Sequence, residues 1–78
     1  MPSQHDLLYS PLREIRQSAP MTQVELAAAM RAAGHRWHQT TVHRVERGQQ
    51  PLKHGEAATL AGIFGVPLGA LTAREIAA

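Results

Sequence analysis

Seventy-eight residues with no cysteine, 44% of them apolar, and a net charge of +2 describe one small folded domain and exclude a disulfide scaffold or thiolate chemistry. A chain of this size buries only roughly 60% of its unfolded surface, so well-packed helices or a partner subunit must supply its stability. No apolar run of ~18 residues is present, and the first residues show no charged-then-apolar leader, so a soluble cytoplasmic protein with no membrane partner is expected.

The charge is unevenly spread. Residues 31–54 carry Arg31, Arg36, Arg44, Arg47 and Lys53 against Glu46 alone, a net +4, while the segments on either side are each −1. His35, His38, His43 and His54 lie in the same stretch and can add charge near a polyanion. This is the electrostatic footprint of a nucleic-acid face, although a solvated basic surface would look the same by charge alone.

In chain order, residues 1–9 read as an N-terminal arm with no assigned function, and residues 10–78 as the folded domain. Ser10 and Pro11 give a helix start, with proline at the first position, where its missing amide hydrogen costs nothing. Leu12 and Ile15 recur at helical spacing, Leu8 would extend that stripe by a turn, and Pro20 ends the helix near Ser18. Thr22 and Glu25 form a capping box for a second helix, with Met21 and Leu26 placed as its hydrophobic staple. Val24, Ala27, Ala28, Met30 and Ala33 sustain that helix, and Gly34 is its natural stop. Met21 and Met30 read as core filler.

After a polar connection, a third helix is expected from His38 to Gly48. Val42 and Val45 sit three apart and share one face, while Gln39, Thr40, His43, Arg44 and Arg47 fall on the other. The outer face offers amides, hydroxyls, imidazole and guanidinium, with Glu46 as the helix's only acid, and such groups pair with base edges and phosphates. Gln49, Gln50 and Pro51 form a loop. A fourth helix is expected from about Gly55 to Phe64, with Leu60, Ala61 and Phe64 inward and Gly65 closing it. A last helix is expected from Val66, Pro67 and Leu68 toward Ile76. Nothing reads as a strand, so the pattern predicts one all-α domain of about five short helices.

A catalytic or metal site finds little support. His35, His38 and His43 are spaced by three and five, which does not align them on one helical face, and no cysteine or acid cluster completes a set. No serine, histidine and acid set or glycine-rich phosphate loop has a recognisable spacing. No enzyme activity, cofactor or metal is expected.

Two helices joined by a short turn, the second polar outside and followed by a basic loop, fit a helix-turn-helix reader. Four segments then resemble the Cro and phage-repressor (Xre-type) family: Thr22-Gln23-Val24-Glu25-Leu26-Ala27, Gln39-Thr40-Thr41-Val42, Val45-Glu46-Arg47-Gly48 and Phe64-Gly65-Val66-Pro67-Leu68. The resemblance spans roughly residues 11–72, and the longer connection before the third helix is similar to versions common in actinobacteria and their phages. It implies a compact five-helix, lambda-repressor-like fold with the helix-turn-helix in helices two and three. It also implies base contacts by Gln39, Thr40 and Arg44, with His43 beside them, and phosphate contacts by Gln23, Thr22, Thr41, His38, Arg47, Lys53 and His54. Glutamine suits adenine, threonine offers a methyl contact to thymine, and arginine suits guanine. Glu46 matches a glutamate that pairs with a first-helix arginine, here Arg16, as a structural tie rather than a DNA contact.

The resemblance further implies a small repressor in the nucleoid, bound to double-stranded DNA as a homodimer through the C-terminal helix, on palindromic half-sites about one turn apart. No small-molecule ligand is implied. An antitoxin or adaptor that uses the same fold to bind protein is the alternative. Trp37 packs under the connection or, alternatively, stacks on or wedges into DNA.

Overall fold

The computed structural model describes residues 11–71. The N-terminal arm, Ser10, Leu8 and everything beyond Leu71 lie outside the described residues.

Within them the chain forms α1 (Pro11–Ser18), α2 (Gln23–Ala32), α3 (Gln39–Glu46), α4 (His54–Phe64) and a 3-10 turn (Leu68–Ala70), with no strand among the described residues. Proline opens α1, as its fixed φ favours. The expected box at α2 is present in both directions: the Glu25 amide donates to Thr22 Oγ1 at 3.0 Å, and the Thr22 amide donates to the Glu25 carboxylate at 2.8 Å. Met21 lies half-buried against the core to which Leu26 belongs, as a staple requires.

Two helix ends depend on glycine. Gly34 at φ +98° lets its own amide reach the Arg31 carbonyl (3.0 Å) and the His35 amide reach that of Met30 (3.0 Å), which closes α2 with a Schellman motif. Gly48 at φ +73° does the same for α3, its amide on Val45 (3.1 Å) and that of Gln49 on Arg44 (2.8 Å). Because the motif needs one cap residue before the glycine, here Arg47, α3 stops at Glu46, two residues short of the expected Gly48.

Three further expectations need correction. The helix from Val66 toward Ile76 is not present within the described residues, so the five-helix count is not supported: four α-helices and one 3-10 turn are described. The turn is held by bonds from Ala70 to Pro67 (2.9 Å) and Leu71 to Leu68 (3.0 Å), and Leu71 is then extended (φ −93°, ψ 127°) because its side chain is drawn into the core. Gly69 within the turn also disfavours continued helix. α4 begins at His54 rather than Gly55, since the Lys53 amide donates to the Glu56 carboxylate at 2.9 Å and anchors the start there. On α4, Ala57 and Leu60 are fully buried, whereas Ala61 and Phe64 are only half-buried.

The core joins Leu12 of α1, Leu26, Ala27 and Met30 of α2, Trp37 of the connection, Val42 and Val45 of α3, Leu52 of the loop, Ala57 and Leu60 of α4, and Leu71. Burying each large apolar side chain is worth about 1.5–3 kcal/mol. All four α-helices therefore contribute to one core, and α2 and α3 pack directly against each other. Among the described residues no buried side-chain nitrogen or oxygen lacks a hydrogen-bond partner.

Candidate nucleic-acid interface

The fold buries one side of α3 and leaves the other to solvent. Val42, Val45 and Glu46 are buried, while Gln39, Thr40, His43, Arg44 and Arg47 are exposed. Thr40 and Arg44 are four apart and share an outward face. The valines that fix the helix to the body thus determine which polar groups point away from it.

His38 precedes α3 in an extended conformation and supplies no side-chain cap. The helix start is secured from the other direction, by Thr41 Oγ1 accepting the His38 amide at 3.1 Å. Thr41 is half-buried in consequence, and the exposed His38 imidazole is not used as a cap.

A chain of hydrogen bonds connects α1 to the first residue of α3. Arg16, 8% exposed, holds Glu46, 5% exposed, in a bidentate ion pair, one arm of which is the bond from Nη2 to Oε1 at 3.0 Å. Its remaining arm, Nη1, donates to the Met21 carbonyl at 2.8 Å. Gln23 Nε2 donates to the same Glu46 Oε1 at 3.0 Å, and Gln23 Oε1 accepts from Gln39 Nε2 at 2.7 Å. The carboxylate acceptor dictates which end of the Gln23 amide faces it, and so fixes the oxygen toward Gln39. Gln23 therefore stands between the buried ion pair and the exposed tip of α3.

The connection between α2 and α3 is fastened at three points. Arg31 Nη1 donates to the Trp37 carbonyl at 2.7 Å, and Trp37, 1% exposed, donates its indole N–H to the Glu56 carboxylate at 2.8 Å. Trp37 thus belongs to the core and does not present its ring as a stacking or wedge group. The Thr59 hydroxyl donates to the Gly55 carbonyl at 3.0 Å, so its oxygen must accept from His35 Nε2–H at 2.9 Å. His35, Glu56 and Thr59 escape a sequence reading because their partners lie 19 to 24 residues away, too far for any spacing rule to register, and Arg31 escapes it because its partner is a backbone carbonyl in an irregular connection.

The remaining candidate residues lie at the margins of this face. Thr22 is exposed at the start of α2, with its hydroxyl oxygen already accepting from Glu25. The Thr22 backbone and side-chain hydrogen bonds hold the Glu25 carboxyl below its ordinary range, so a negative charge sits at the helix N-terminus. Lys53 and His54 are exposed where the α3 to α4 loop enters α4. Among the described residues no group of three or more His, Asp and Glu is arranged to hold a metal ion, and no described helix is long and apolar enough to cross a membrane.

Two packed helices, the second presenting amide, hydroxyl and guanidinium groups outward from a fixed tip, define a helix-turn-helix domain. A family model described as a helix-turn-helix domain matches residues 11–74, and the chain belongs to that family. No curated protein and no solved structure matches the chain. Family membership points to DNA binding.

Proposed function

We propose that the protein is a sequence-specific, double-stranded-DNA-binding transcriptional regulator of the Cro and phage-repressor (Xre) type, with a lambda-repressor-like fold, acting as a small cytoplasmic repressor. The observation that carries this reading is the outward face of α3, where Gln39, Thr40 and Arg44 are exposed on a helix whose opposite side is locked into the core. Gln39 would read adenine, Thr40 the thymine methyl and Arg44 a guanine. His43 stands beside them. Gln23, Thr22, Thr41, His38, Arg47, Lys53 and His54 would meet the backbone around that helix, while the buried Arg16 and Glu46 hold its position.

One such helix offers few base contacts, so a homodimer on palindromic half-sites about one helical turn apart doubles the readout. The C-terminal segment supplies the proposed dimer surface. Within the described residues its available apolar group is Leu68, 44% exposed, since Leu71 is committed to the core.

The test is selection of bound sites from random duplex DNA. Enrichment of a palindrome supports both operator reading and the dimer, and a single half-site supports the monomeric reader. Absence of any enrichment sinks the DNA reading and favours the antitoxin or adaptor alternative.

A further inference from the structure

The buried Glu46 carboxylate holds one bond that its ion pair does not explain. Its Oε2 accepts from Arg16 Nε and its Oε1 from Arg16 Nη2 at 3.0 Å, which completes the pair between α1 and α3. The same Oε1 also accepts from Gln23 Nε2 at 3.0 Å, and Gln23 Oε1 accepts in turn from Gln39 Nε2 at 2.7 Å. Burial falls along this path: the Glu46 side chain is 3% exposed, Gln23 is half-buried and Gln39 is exposed. A line of amides thus runs from the core to the outward face of α3.

Each step of that line has a direction. A carboxylate only accepts, whereas a glutamine amide donates at one end and accepts at the other. Glu46 therefore obliges Gln23 to turn its nitrogen inward, and the oxygen left outside obliges Gln39 to meet it with nitrogen. The far edge of the Gln39 amide then offers its oxygen and its second N–H in one fixed order. On the proposed reading that order pairs with adenine, which shows a donor at N6 and an acceptor at N7, whereas guanine shows acceptors at both O6 and N7. With the amide reversed, nitrogen would stand opposite the adenine amino group, where it opposes adenine and suits guanine O6.

We propose that Glu46 is a positioning residue that determines base specificity: from inside the core, through Gln23, it sets the amide polarity of Gln39 and so makes that position read adenine rather than guanine. The inference rests on the DNA-binding reading above and deepens it. A pair that served only to tie α1 to α3 would do so equally well with its charges exchanged, but the relay depends on an acceptor standing at residue 46. With a donor there, Gln23 turns its oxygen inward and the polarity of Gln39 reverses. With neither, the Gln39 amide takes both orientations, and only the fraction in the adenine-reading one is competent for that base.

The test uses duplexes carrying the site that the wild type selects from random DNA, with guanine in place of adenine at the position whose preference Gln39→Ala abolishes. Fluorescence anisotropy gives the ratio of affinities for the two duplexes, and thermal unfolding reports whether each variant folds. The wild type is expected to prefer adenine by about 5- to 150-fold. Arg16→Glu with Glu46→Arg is expected to reverse the preference toward guanine, and Arg16→Met with Glu46→Leu to narrow it by at least about twofold. Gln23→Met, which breaks the relay and leaves the ion pair intact, is expected to narrow it as well, and it decides alone if the double variants do not fold. The preference at the position that Arg44→Ala abolishes is expected to stay as it was in all three. An unchanged ratio in a folded variant overturns the proposal, and so does an equal loss at the Arg44 position, since α3 has then merely shifted. A wild type that selects no site fails the DNA reading, and the role of Glu46 falls with it; a selected site that the variants read unchanged removes only the relay.

Discussion

Removing Glu46 should be the most damaging single change short of the large core residues. In Glu46→Ala, Arg16 loses both arms of its bidentate pair and keeps only its bond to the Met21 carbonyl, while Gln23 Nε2 loses its acceptor. The guanidinium stays largely excluded from water, so the variant carries an uncompensated buried charge, which costs about 3–5 kcal/mol. A domain of this size has on the order of 4–12 kcal/mol of total stability. At roughly 4–8 °C per kcal/mol, a fall in Tm on the order of 20 °C is expected. Arg16→Met should cost a similar amount, because it strands the carboxylate instead. The double variant Arg16→Met with Glu46→Leu should be more stable than the sum of the two losses predicts, since both charges go together. Thermal and urea unfolding followed by circular dichroism measure all three. Single variants within about 1 kcal/mol of wild type, or strictly additive losses in the double variant, would refute the claim that the pair acts as a buried unit.

Other variants test separate parts of the molecule. Trp37→Ala should cost about 3–5 kcal/mol through the cavity left in the core, whereas Trp37→Phe, which removes the bond to Glu56 but keeps most of the ring, should cost about 1–2 kcal/mol in the same unfolding assay. Arg44→Ala should weaken operator binding by about 1–3 kcal/mol and relax preference at one base position; uniform weakening across sequences in a binding-site competition would place Arg44 on the backbone instead. Lys53→Gln should lower the salt slope of binding by about 0.9 without altering preference, and altered preference would contradict a pure phosphate contact. Because Thr22 holds the Glu25 carboxyl below its ordinary value of 4.5, that contribution to stability is complete above this value and is lost as pH falls through the lower folded-state value. Glu25→Gln should flatten the acid limb of a stability-against-pH curve, and an identical limb in the variant would show that the cap is not responsible.

What was legible in the sequence was the part encoded locally. The Thr22 and Glu25 box, the proline opening α1 and the glycines ending α2 and α3 all act within six residues, and each lies where its spacing predicts. The two valines of α3 sufficed to divide its faces. Within the described residues the expected last helix is only a 3-10 turn, for a different reason: Val66, Pro67 and Leu68 do start a helical turn, but burial of Leu71 extends the chain at that residue, and tertiary packing overrides a local start signal there. Leu52 escaped notice because a single leucine in a loop has no periodicity by which to declare itself, yet it is fully buried. The fastening of the connection was equally hidden, since His35 meets Thr59 and Trp37 meets Glu56 only once α4 is in place.

The hydrogen-bond chain from Arg16 to Gln39 bears directly on how the proposed reader discriminates. Bidentate pairing of glutamine with adenine requires the carboxamide to donate from nitrogen and accept at oxygen in one plane. Gln39 Nε2 has two hydrogens, and the bond to Gln23 takes one of them. The second hydrogen and the carbonyl oxygen are left for a base edge, so the contact orients the amide without consuming its readout. Gln23 can play this part only because Glu46 fixes its own amide in turn. The buried ion pair therefore reaches the proposed base-reading residue through two glutamine amides. A side chain already oriented in the unbound protein loses less entropy on binding than one that swings freely. Arg44 has no comparable support among the described hydrogen bonds, so on the proposed reading Gln39 at the tip of α3 would be prepared in advance while Arg44, five residues further along, would be ordered only on binding.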